Sequence, residues 1–181
     1  VATWLGWTCT AAFLAVAGYA VARLVVACRT PGSTGCHRTV DTAHALMALG
    51  MAVMCSPVGG PLPMAGWQTV FLLLTVWFLV RREPVSGWHG GGLHHAVGGL
   101  AMLYMLTAVP HSAHAMASAW SPRMAGEQAA LPVLGWIFVG YFAVQAARLV
   151  RVSLRSDTHR VAAGCQGVMA VGAGGMILAM L

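Results

Sequence analysis

The sequence predicts an all-α, polytopic membrane helix bundle of six transmembrane helices, with both termini outside. Three observations carry that expectation: scarce charge, six separated apolar runs, and loops that alternate between arginine-rich and arginine-poor. Only 8% of the 181 residues are charged and 59% are hydrophobic. Mean hydropathy is +0.75. A soluble domain carries about 25% charged residues, so this chain has too little charge to cover a surface facing water.

A span needs about 20 mostly apolar residues, and six runs approach that length within a single integral domain, 1–181. The first, 4–27, contains AFLAVAGYA, which resembles a signal-peptide core. No positive charge precedes it, so it reads as a retained span. The second, 39–56, is short and ends before Pro57. The third, 65–80, is closed by Arg81, Arg82 and Glu83. The fourth is 93–110, the fifth 131–149 and the sixth 160–181.

The loops assign orientation. Arg29 and Arg38 follow the first run, with Arg23 close enough to reach the same interface. Loop 57–64 has no arginine, loop 81–92 has Arg81 and Arg82, and loop 111–130 has only Arg123. The last connection carries Arg148, Arg151, Arg155 and Arg160. Arginine marks the cytoplasmic side of a bacterial plasma membrane. The net charge of +6 is thereby a matter of topology and needs no nucleic-acid partner, which would require a concentrated basic patch. The partner this composition implies is the lipid bilayer.

Small residues let helices approach closely in lipid. Gly98 and Gly99 in the fourth run, and Gly164, Gly167, Gly172, Gly174 and Gly175 in the sixth, predict that both helices lie inside the bundle. Trp4, Trp7, Trp67, Trp88, Trp120 and Trp136 fall near span ends, where aromatic belts sit.

Chemistry concentrates in two helices. In DTAHALMALGMAVMC, residues 41–55, the side chains of His44, Met47, Met51, Met54 and Cys55 fall on roughly a 100° arc, with Asp41 at its edge. In LHHAVGGLAMLYM, residues 93–105, His94, His95, Met102 and Met105 do the same. Both helices run from the inner to the outer side, so His44 and His94/His95 share a depth. The segment PHSAHAM then sets His111, His114 and Met116 outside. Thioether and imidazole together select soft ions, copper(I) above all. The leading expectation is therefore copper binding or handling: His44, His94 and His95 as inner ligands, Met47, Met51, Met54, Met102 and Met105 along the path, and His111, His114 and Met116 collecting the ion.

Two alternatives stand beside it. His44 with His94 or His95 is also an axial pair for haem b. Methionine equally fills gaps in apolar cores, which would make the chain a membrane scaffold or accessory subunit. The sequence has no G-x-S-x-G, P-loop or H-E-x-x-H motif, which points away from an enzyme. Five scattered cysteines without C-x-x-C argue against a zinc ribbon. Cys9 and Cys55 both approach the outer face, where a disulfide between them is one further reading.

At DTAHALMALGMAVM and LHHAVGGLAMLYM the chain resembles a family of actinobacterial multi-pass membrane proteins, a domain of unknown function. The D-x-x-H-x-x-M helix and the His-His helix with trailing methionines carry the likeness, most strongly over 41–116. The resemblance implies an actinobacterial plasma-membrane protein and adds weight to His44, His94 and His95. It implies no particular activity.

Overall fold

In the computed structural model, residues 2–29, 35–58, 60–81, 92–107, 131–155 and 160–181 are described. They form six helices and, among these residues, no strand: α1 (Ala2–Arg29), α2 (Gly35–Cys55), α3 (Met64–Val80), α4 (Gly92–Thr107), α5 (Pro132–Arg155) and α6 (Arg160–Met180). Each of the six apolar runs holds one helix, with residues 108–110 of the fourth run outside the described residues, and α2 and α5 extend several residues beyond the apolar core of their runs. An interior helix satisfies its own backbone groups, so polar flanks prolong it at little cost.

Among the described residues, three helices are long and apolar enough to cross a membrane, over Trp4–Arg29, Pro132–Leu154 and Arg160–Met180. Met64–Val80 is apolar but shorter. Near its N-terminal end α2 carries Arg38 and Asp41, which lower its apolar character, and α4 has 16 residues.

The chain divides into two compact units. In the first, α1 and α2 run antiparallel. A Cβ at Gly6 would stand 3.0 Å from the Cys55 carbonyl, and the Thr10 hydroxyl donates to Gly6 O and to Ala52 O. At the other end Arg23 pairs with Asp41 at 3.5 Å, and Arg38 Nη2 donates to Ala27 O. Asp41 is buried while Arg23 is partly exposed, so the guanidinium neutralises a carboxylate that would be costly alone in an apolar setting.

Helix α2 stops where Pro57 cannot continue it, and Ser56 N bonds back to Val53 O. Helix α3 opens after Pro63, whose carbonyl accepts from Gly66 N and Trp67 N. It closes at Arg81, whose guanidinium lies 4.4 Å above the Trp77 ring. Its buried residues are Trp67, Phe71, Thr75 and Phe78, one stripe at helical spacing. The buried Thr75 hydroxyl donates to Phe71 O at 2.7 Å, which satisfies it inside the helix.

The second unit is built on α5 and α6. Leu131 O accepts from Leu134 N and Gly135 N at the start of α5, ahead of Pro132 in the first turn. Phe138 and Phe142 of α5 are buried, as are Ala163, Met169, Ala170, Ala173 and Ile177 of α6. Where α5 turns into α6, Arg160 Nε donates to Ser153 O.

Candidate metal centre

Helices α2, α3 and α4 meet at glycines that set their spacing. A Cβ at Gly50 of α2 would come 2.5 Å from Phe71 Cζ and 3.0 Å from Met102 Cε. At Gly98 of α4 it would meet Met47 Sδ at 2.9 Å, and at Gly99 it would overlap Thr75 Oγ1. Nothing larger than hydrogen fits at these positions without a shift in a neighbour.

These contacts define register. The same sequence offset separates His44 from His95 and Met47 from Gly98, so α2 and α4 run parallel. That offset sets Met51 level with Met102, and Met54 level with Met105. Helix α3 runs antiparallel to α4: Phe78 packs on His95 near one end, and Gln68 Nε2 donates to Leu106 O near the other.

His44 and His95 meet in the interior. Their ring centroids are 4.8 Å apart in an edge-to-face arrangement, and the residues are 8% and 1% exposed. Phe78 covers His95 at 4.9 Å between centroids. His94 stands beside His95 at 5.5 Å and is less buried. Within the histidine pair of α4, the His95 ring lies on His44 and is the more buried of the two. Above the imidazoles, Met47, Met51, Met102 and Met105 are all buried, while Met54 is half-buried.

The structure therefore brings His44, His95, Met47, Met51 and Met102 to one interior seam. His111, His114 and Met116 lie outside the described residues. Among the described residues no three His, Cys, Asp or Glu side chains converge as a metal-holding group. A centre here would draw on thioether sulfur to complete its ligands, and sulfur donors of that kind suit soft ions.

Sequence reasoning missed the third wall. Phe71 seats against Gly50, Thr75 against Gly99, and Phe78 against His95. Trp67 stacks on Phe71 at 5.9 Å, and its buried indole N–H finds no acceptor among the described residues. The signal was present as the 67, 71, 75, 78 spacing. What that stripe would face was not.

A family model described as a domain of unknown function, DUF5134, matches residues 36–180. The match begins at the start of α2 and so takes in both helices of the seam. No curated protein and no solved structure matches the chain.

Proposed function

The chain belongs to the DUF5134 family, and we propose that it is a six-span plasma-membrane protein that binds copper(I) between α2 and α4. The observation that carries the copper reading is the parallel register of those helices. It puts two imidazoles in ring contact and stacks thioethers above them in the same seam. A copper(I) ion needs few ligands and accepts neutral ones, so two imidazoles and one or two thioethers suffice without a carboxylate.

Support for the membrane comes from the outward faces. Leu14, Val26, Leu73, Val80, Ile137 and Val171 are among many exposed large apolar side chains. Soluble proteins seldom expose apolar patches of that extent. In this reading Arg23, Arg38 and Arg148 mark the cytoplasmic side, and both termini lie outside.

The haem b alternative needs the two imidazoles on opposite faces of a macrocycle. Direct ring contact at 4.8 Å, with Phe78 packed on His95, favours a single ion over a porphyrin.

Competition between the purified protein and a chromophoric copper(I) chelator tests the proposal. The protein is expected to withdraw one equivalent of copper(I), with affinity falling at least tenfold in His44→Ala and in His95→Ala, the scale typical of a lost ligand contact. Met51→Leu and Met102→Leu, which keep volume, are expected to weaken binding further when combined. Failure to take copper(I), or equal affinity in all four variants, ends the reading. A Soret absorption in the purified protein would replace it with the cytochrome.

A further inference from the structure

We propose that Cys9 and Cys55 are a redox-active dithiol that closes into a disulfide between α1 and α2. Cys9 lies on the face of α1 that meets α2, bracketed by two contacts. One residue on, Thr10 donates to Ala52 O. Three residues before, Gly6 sits so close to α2 that its Cβ would stand 3.0 Å from the Cys55 carbonyl. The two thiols are near enough to interact with each other. Both are half-exposed and both are reduced in this structure.

The close approach of α1 and α2 at Gly6 and Thr10 sets the two thiols where side-chain rotation can bring the sulfurs toward the ~2.05 Å of an S–S bond. Partial exposure gives a reagent access to either sulfur. The oxidant is a protein or small-molecule disulfide. One thiolate attacks it and releases the first thiol, leaving a mixed disulfide. The second cysteine then attacks that bond, releases the second thiol and completes Cys9–Cys55. Two protons and two electrons leave the pair, and one disulfide becomes two thiols.

The bond would fasten α1, which precedes the residues matched by the family, to the end of α2 beside Met54. The dithiol stands independently of copper, so its test is run with a chelator present. The variant carrying Cys28→Ser, Cys36→Ser and Cys165→Ser keeps only this pair. The purified, folded full chain of that variant is treated with oxidised glutathione, alkylated and digested. Both thiols are expected to become inaccessible to alkylation, with one peptide pair linked through Cys9 and Cys55 within a single chain. In the unsubstituted chain, titratable thiols are expected to fall from five to three. Both cysteines remaining alkylatable, or linkage only between chains, would overturn the proposal. A protein that forms the bond yet ignores copper(I) would leave this inference standing and remove the one above.

Discussion

Gly98 and Gly99 of α4 look, in the sequence, much like Gly164, Gly167 and Gly175 of α6. All are small residues on apolar helices. In the first unit a Cβ at either α4 position would run into Met47 or Thr75. In the second unit, Gly164, Gly167 and Gly175 have no described atom within 4 Å of a built Cβ, while Gly174 makes ordinary contact with Phe142 at 3.4 Å. The first unit is closed by backbone approach, with side chains of one helix lying in the notches of another. In the second, α5 meets α6 in ordinary contact at Phe142 and Gly174, and open space lies beside Gly164, Gly167 and Gly175. Glycine content alone thus predicted two buried helices where the structure has one tightly notched helix and one whose notches stand partly open.

Gly50 of α2 packs directly under the Phe71 ring. The Phe71 ring against it is fully buried and has nowhere to retreat. Gly50→Ala is expected to destabilise by about 1–3 kcal/mol, the range for overpacked cores, read as a lower midpoint of thermal unfolding in detergent. An unchanged midpoint would mean that the first unit is no tighter than the second.

Arg23→Ala removes the ion-pair partner of Asp41, a residue that is 3% exposed. Fully buried pairs cost about 3–5 kcal/mol to break in this way. With Arg23 partly exposed, a smaller loss is expected, near that of Gly50→Ala or below it. Asp41→Asn removes the charge itself and is expected to cost less than Arg23→Ala. The reverse order, measured in the same unfolding assay, would show that Asp41 matters for something other than its pairing with Arg23.

Gly98→Ala pushes on the thioether of Met47, the movable end of a flexible side chain. A small stability change is expected, together with a several-fold drop in copper(I) affinity, since ligand displacement is felt at the ion. An affinity unchanged in the competition assay would place Met47 outside the ligand set.

The smallest effect belongs to the open notches. Gly164→Ala adds a methyl group to free space and improves helix propensity by up to about 1 kcal/mol. Its unfolding midpoint is expected to hold or rise. A fall would show that the second unit uses its glycines as the first does.

Much of the architecture was legible before any coordinates. Six apolar runs became six helices because hydrophobic length and prolines at 57 and 63 set helix limits locally. The faces of α2 and α4 were legible too. His44, Met47 and Met51 share a side by helical geometry alone, and all three are buried. Helix α3 was opaque, since its aromatic stripe has no meaning until a neighbour is set against it. So was the ranking of His94 and His95, which share one arc of α4 and differ in burial.

The amino-acid sequence by itself determined which residues are helical, which sides of α2 and α4 carry imidazole and sulfur, and how little of the surface suits water. Those properties follow from composition and from a 3.6-residue period, which are local. Only the tertiary structure decided that α2 and α4 run parallel in one register, that the His95 ring lies on His44, and that Phe71, Thr75 and Phe78 wall the seam. Register between helices is set by which side chain fits which notch, and that is a property of pairs of surfaces, not of either one alone.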